Sequence, residues 1–380
     1  MIPVAKPFLN NAEAKASAQT ILSGWVTQGP KVLEFEKEFA QHVGAKYACA
    51  VSNCTTALHL ALLAVGVKPG DYVITVSHSF IATANCIKYC GAEPVFVDVD
   101  LETYNISPNS LRECLARQRQ VKAILVVHQI GMPADMKSIL AVSKKYKIPV
   151  IEDAACAIGS EIKMNGRWEK IGKPHGDIAC FSFHPRKVIT TGEGGMLTTN
   201  NPKYDRAFRL LRHQGMSVSD LARHKSKKYI FEEYPVLGFN YRLTDIQAAI
   251  GLEQLKKLDA IIKKRRNLAA VYFKELEKID WIQLPNEPAY ARSNWQSFAI
   301  RLLPSAPIKR DALMQKLLDR GISSRPGIMN AHEEKPYKHL KVKLPNSELV
   351  RRSVLLLPLF FQMSEREVRH ICKTLQRISS

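Results

Sequence analysis

No apolar run in this 380-residue sequence approaches the roughly 20 residues that span a bilayer, so no transmembrane helix is expected. The first residues, 1–15, lack a basic stretch followed by an apolar one, so no secretory signal is expected either. The eight cysteines (49, 54, 86, 90, 114, 156, 180 and 372) form no CxxC pair, and several sit inside apolar runs such as 178–181. They read as buried, reduced thiols of a cytoplasmic protein, with no structural metal. Zinc-finger spacing, a recognition helix and the aromatic-basic pattern of an RNA-binding domain are missing. Internal repeats and low-complexity stretches are missing too.

What is present is apolar and basic. Hydrophobic residues make up 46% and charged residues 24%, which favours a large packed core over disorder. The net charge of +20 admits three readings: nucleic-acid binding, attraction of an anionic small substrate, or a basic solvated surface. Many lysines, such as Lys256, Lys257, Lys263 and Lys264, fall on a helix surface. The solvated surface is favoured, with substrate attraction as an addition, and nucleic acid is not an expected partner.

Between about residues 45 and 200, short apolar runs alternate with helix-like segments. The pattern predicts strands over 46–52, 72–77, 94–99, 123–128, 149–153, 178–183 and 195–199, and helices over 56–65, 81–90, 107–117 and 136–145. Strands rich in β-branched residues and separated by helices predict an α/β fold. Its large, mainly parallel sheet would be flanked by helices and bind ligands at the C-terminal strand ends. A long helix is predicted from residue 243, with Thr244 and Asp245 as start signals. A boundary near 265 would divide a large α/β domain, residues 1–265, from a small C-terminal α+β domain, residues 266–380. The smaller domain would hold a strand at 297–303 and helices at 310–320 and 365–377.

Chemistry-bearing residues cluster at the predicted strand ends. Lys187 follows the strand ending at Phe183 and precedes a turn with Gly192, Gly194 and Gly195. Asp153 ends a strand in Ile151-Glu152-Asp153-Ala154-Ala155-Cys156, where a carboxylate can pair with a protonated pyridine nitrogen. Ser52-Asn53-Cys54-Thr55-Thr56 joins a strand to a helix start, a ready phosphate site. Phe80, in Ser77-His78-Ser79-Phe80, can lie flat on a ring. Each also has a plainer reading: a surface lysine, an N-cap aspartate, ordinary N-capping, a core phenylalanine.

Their ordered combination resembles the fold-type I pyridoxal 5′-phosphate (PLP) enzymes of the aspartate aminotransferase superfamily, specifically the DegT/StrS-type nucleotide-sugar aminotransferases. The resemblance begins at Pro3-Val4-Ala5-Lys6-Pro7 and runs through Ser23-Gly24-Trp25-Val26-Thr27-Gln28-Gly29-Pro30 to Gly238-Phe239-Asn240-Tyr241-Arg242-Leu243-Thr244-Asp245. It implies that Lys187 carries PLP as a Schiff base and shuttles protons. It implies that Asp153 binds the pyridine nitrogen, Phe80 stacks on the ring, and Ser182, Thr55 and the Thr56 backbone hold the phosphate. Cys156 stands where relatives often carry Gln or His beside the ring hydroxyl, and a thiol is a weaker hydrogen-bond partner there. Asn240 would reach the phosphate from the partner subunit, giving a homodimer with shared active sites. The stretch from Gly321 to His332 resembles a substrate-facing segment. Arg325 could pair with a diphosphate or carboxylate, and His332 with a sugar hydroxyl. His184 and Arg186 flank the lysine motif as further candidates. A surface turn explains these last residues equally well.

The implied activity moves an amino group from glutamate to a keto-sugar linked to a nucleoside diphosphate, in amino-sugar biosynthesis for surface polysaccharide or a natural product. Proton transfer near neutral pH predicts a Lys187 amine whose pKa is pulled down by desolvation and a cationic neighbour. A related sugar 3-dehydrase carries histidine in place of the lysine, so Lys187 opposes it. A keto-cyclitol aminotransferase and a basic DNA-binding regulator on a degenerate PLP fold are the alternatives. Salt-sensitive DNA binding without a visible-absorbing cofactor would mark the regulator.

Overall fold

The computed structural model describes residues 1–118, 120–218, 223 and 226–378. Two helices open the chain, α1 (Asn11–Leu22) and α2 (Pro30–Val43). Then come β1 (Tyr47–Val51), α3 (Cys54–Ala64), β2 (Tyr72–Val76), α4 (Ala82–Tyr89), β3 (Glu93–Val97), α5 (Pro108–Arg117), β4 (Val121–Val127), α6 (Met136–Tyr146) and β5 (Val150–Asp153). A hairpin of β6 (Glu161–Met164) and β7 (Arg167–Lys170) precedes β8 (Ile178–Ser182), β9 (Gly195–Thr199) and α7 (Pro202–Leu211).

These strands build a seven-stranded sheet in the order β1-β9-β8-β5-β4-β2-β3. Only β9 runs against the others, pairing antiparallel with both β1 and β8. The expected fold class is therefore present: a large, mostly parallel sheet between helices. Strand alternation divides the core between its two faces. Ile124 and Val126 of β4 pack on one side with Phe35, Phe39 and Ile139. Ala123 and Leu125 pack on the other with Leu58, Leu62 and Ile87. Residues 150–153 of β5 are buried throughout, which is why the strand reads as continuous rather than alternating.

The helix α8 (Asp245–Leu276) is capped by Thr244, whose side chain accepts from Gln247 N–H while the Gln247 side chain returns to the Thr244 backbone. It runs unbroken through residue 265, so the expected boundary falls inside a helix. Beyond it lie β10 (Ile282–Gln283), β11 (Ala291–Arg292), β12 (Phe298–Leu302), α9 (Arg310–Asp319), β13 (Arg325–Pro326), α10 (Pro345–Ser353), β14 (Val354–Leu357) and α11 (Glu365–Gln376). A second sheet, β10-β12-β14-β13, has its own core of Tyr272, Phe298, Leu313, Leu355 and Ile371. The N-terminus returns to this region: Ile2 N–H donates to Gly321 O at 2.7 Å, and Ser323 N–H to Ile2 O at 2.9 Å. No helix among the described residues is long and apolar enough to cross a membrane.

Candidate active site

The parallel strands all end at one edge of the large sheet, where open α/β sheets bind ligands. A cavity of about 930 Å³ opens there. Its lining includes Thr55, Thr56, Phe80, Asp153, Cys156, Ser182, His184, Lys187 and Arg325, brought from as far apart as α3 and β13.

The α3 start is organised by Asn53. Its side chain accepts from Thr56 N–H at 2.9 Å, and the Thr56 hydroxyl donates to Asn53 O at 2.7 Å. Both Thr56 donors are thus spent inside the cap. The expected phosphate role of the Thr56 backbone is corrected accordingly: the open first-turn donors are the N–H groups of Cys54 and Thr55, with the Thr55 hydroxyl beside them. Gly195 of β9 presses on this turn. A Cβ there would lie 2.4 Å from Asn53 O, so the strand can run this close only as glycine. Ser182, at the end of β8, accepts from His184 N–H at 3.4 Å and faces the same cavity.

Asp153 ends β5 and is only 5% exposed. Its carboxylate accepts from the Thr83 hydroxyl at 2.9 Å and from Ala155 N–H at 3.2 Å. Burial pushes its pKa above the ordinary carboxylate value; Thr83, Ala155, Lys187 and His128 offset this only in part. Thr83 is a site residue that sequence reasoning passed over. It sits one helical turn after Phe80, within reach of the same edge. The Phe80 ring is 63% exposed and lines the cavity rather than the core.

Lys187 is half-buried, and its Nζ donates to Cys156 Sγ at 3.1 Å. Its pKa departs from the sequence expectation. Burial pulls it down, but the Cys156 sulfur, Cys54 and the Asp153 carboxylate together raise it above the ordinary lysine value. The groups around it are acidic rather than cationic, which accounts for the direction. The loop that carries it is pinned: Lys187 N–H donates to His184 O, and Thr190 N–H to the buried Gln254 side chain of α8.

Two expected residues lie elsewhere. His332 does not line the cavity. It is 8% exposed and wedged between Ser77, whose Oγ is 2.6 Å from its Nδ1, and Glu348, 3.8 Å from its Nε2. It therefore joins the two regions of the chain instead of facing a ligand. Asn240 is exposed and outside its own chain's cavity, with its side-chain oxygen accepting from Arg242 at 3.1 and 3.2 Å. Arg351 and Gln296 line the cavity without having been anticipated, because they arrive from the distant C-terminal region with no local sequence signal. Arg186, Arg325 and Arg351 converge there with no carboxylate partner among the described residues.

A buried carboxylate, an amine and a helix start with open N–H groups fit a phosphorylated aromatic cofactor with a ring nitrogen. The chain is 39% identical over 380 residues to GDP-perosamine synthase of Caulobacter vibrioides, covering 99% of this chain and 98% of that protein. In structure it is similar to the aminotransferase TlmJ from Streptoalloteichus hindustanus, with a TM-score of 0.90 and 32% identity over 100% of this chain and 99% of that one. It is also similar to the putative sugar aminotransferase Spr1654 from Streptococcus pneumoniae in its PMP-form, with a TM-score of 0.92 and 26% identity over 100% and 99% of the two chains. The model of the DegT/DnrJ/EryC1/StrS aminotransferase family matches residues 7–376. With that match over nearly its whole length, the chain belongs to the DegT/DnrJ/EryC1/StrS aminotransferase family.

Proposed function

We propose that the protein is a PLP-dependent aminotransferase that transfers an amino group from glutamate to a keto-sugar linked to a nucleoside diphosphate. The observation that carries this reading is the meeting of Lys187, the buried Asp153 and the α3 start in one cavity. Bound PLP supplies an electron sink for a carbanion next to nitrogen. Asp153 would hold the ring nitrogen, Phe80 the ring face, and Thr55, Ser182 and the α3 N–H groups the phosphate. Cys156 stands beside Lys187 at the ring-hydroxyl position. The Lys187 amine would be the proton carrier, moving a proton between the substrate carbon and the C4′ carbon of the cofactor.

Arg325, with Arg186 and Arg351, supports a doubly phosphorylated acceptor over a keto-cyclitol, because unpaired guanidiniums suit phosphate oxygens. His184, from the same lining, is a substrate or phosphate contact in this reading. Residues 1–265 form the cofactor-binding part in this reading, and residues 266–380 supply Arg325 and Arg351. Asn240 completes the partner's phosphate site in a cytoplasmic homodimer. The product is an amino sugar for surface polysaccharide or a natural product.

The test is the absorption spectrum of the purified protein with added PLP. Wild type gains a visible band that Lys187→Ala lacks, and the variant loses at least about 100-fold in transamination rate. A wild type that ignores PLP overturns the reading. Nucleotide-linked keto-sugars offered with glutamate then identify the acceptor.

A further inference from the structure

Beside the cavity, and reaching its lining only through His128, lies a buried acid–imidazole chain that the reaction as described does not use. Glu152 precedes Asp153 on β5 and is fully buried. Its carboxylate accepts from His128 Nε2–H at 3.0 Å, from His175 N–H at 2.8 Å and from Gly176 N–H at 2.7 Å. The His175 ring sits between two acids, with Nδ1 3.8 Å from Glu152 and Nε2 3.2 Å from Glu169 of β7. Lys173 pairs with the outer face of Glu169. Asp177, the other nearby acid, accepts from Val150 N–H at 2.9 Å. His128 ties this chain to the site: its backbone N–H donates to Asp153 O at 3.0 Å, and it lines the cavity. Its Nδ1 accepts from Ala134 N–H at 3.0 Å, which leaves Nε2 to donate to Glu152. His175, with a buried Nδ1 that has no hydrogen-bond partner among the described residues and an acid near each ring nitrogen, is the ring in this chain placed to gain and lose a proton.

We propose that His175 is a positioning residue whose proton keeps the Asp153 corner in its cofactor-binding arrangement. The proposal rests on the reading that Asp153 meets the ring nitrogen. With its proton, His175 neutralises Glu152, and Glu152 anchors His128 and the ends of β4 and β5. Without it, a buried negative charge one residue from Asp153 is left with N–H partners alone. That charge opposes ionisation of Asp153, the form that pairs with a protonated ring. Burial pulls the His175 pKa down, but Glu152 and Glu169 raise it above the ordinary histidine value. The proton is thus kept below about 6.5 and lost as pH rises through the raised folded-state value, so cofactor affinity falls in the same direction.

The experiment titrates PLP into cofactor-free full-length protein from about pH 6 to about pH 9, following the visible band and the quenching of tryptophan fluorescence. Wild type, His175→Gln, Glu169→Gln and Asp153→Asn are compared. Titration of PLP itself is common to all four and cancels in the ratios. Glutamine keeps the backbone N–H bond to Glu152 and a polar side chain that does not titrate, so wild-type affinity should fall about 3- to 10-fold more than that of His175→Gln across the range. Glu169→Gln removes one acid from the partly exposed hairpin, a change the fold tolerates, and should move the wild-type midpoint to lower pH. A constant ratio of wild type to His175→Gln, with no shift in Glu169→Gln, overturns the proposal. An Asp153→Asn protein that binds PLP as well as wild type overturns the underlying reading of Asp153 instead.

Discussion

Lys187 and Cys156 set the chemistry of the site through one contact. An amine 3.1 Å from a sulfur, with Cys54 and Asp153 nearby, is held as ammonium beyond its ordinary pH. Cys156 is the largest of the raising influences. Removing it in Cys156→Ala leaves burial opposed by weaker partners, so the lysine pKa should fall. The pH at which Lys187 becomes able to react with PLP should then move down, measurable as the pH dependence of the PLP association rate. An unchanged profile would mean that the sulfur does not govern the amine. Cys156→Gln is the informative companion. It restores a strong hydrogen-bond donor and acceptor at the ring hydroxyl, and should tighten PLP binding relative to Cys156→Ala.

At the scale of the element, the site depends on how closely β9 and the α3 start approach. Gly195→Ala forces a methyl to within 2.4 Å of Asn53 O, so either β9 or the cap must move. The expected result is a folded protein with a lowered thermal midpoint and PLP affinity reduced at least about tenfold, because the phosphate donors shift with the turn. A calorimetric scan and a PLP titration of the variant check both halves.

The same element shows what the residues reveal in advance. The strand ends at Asp153 and Ser182, and the α3 start, were legible because β-branched runs and small polar turns are local signals. The spent Thr56 donors were not, since they depend on which first-turn N–H the Asn53 side chain selects. The β6–β7 hairpin carried a readable mark, Asn165-Gly166 with φ of 49° and 82°, the pair that a tight two-residue hairpin turn demands. Helix α2 was marked too, by Pro30 at its first turn and Gly44 just past its end. The antiparallel direction of β9 left only an indirect mark, the lack of a long helix between residues 183 and 195, since a parallel crossover usually carries one. His332 misled for a related reason. Its partners Ser77 and Glu348 come from separate regions, and a buried clamp and a ligand contact look alike in one dimension.

For the whole molecule, the open question is whether one chain makes a complete site. Asn240 is exposed and turned away from its own cavity. Tyr229, Phe231 and Leu237, on the approach to it, are each more than 80% exposed, an apolar surface of the kind a second subunit covers. If Asn240 serves the partner's phosphate, Asn240→Ala and Lys187→Ala disable different halves of a shared site. Mixed and refolded together, random pairing makes about half the dimers hybrids, each with one intact site, so about a quarter of all sites recover. Activity per site should then rise towards about a quarter of wild type, although each variant alone is nearly inactive. The recovery should fade on dilution below the dimer dissociation constant, since the intact site exists only while the two chains are joined. Asn240 acting within its own chain would leave each site of a hybrid with one defect, and no mixture of the two variants would regain activity.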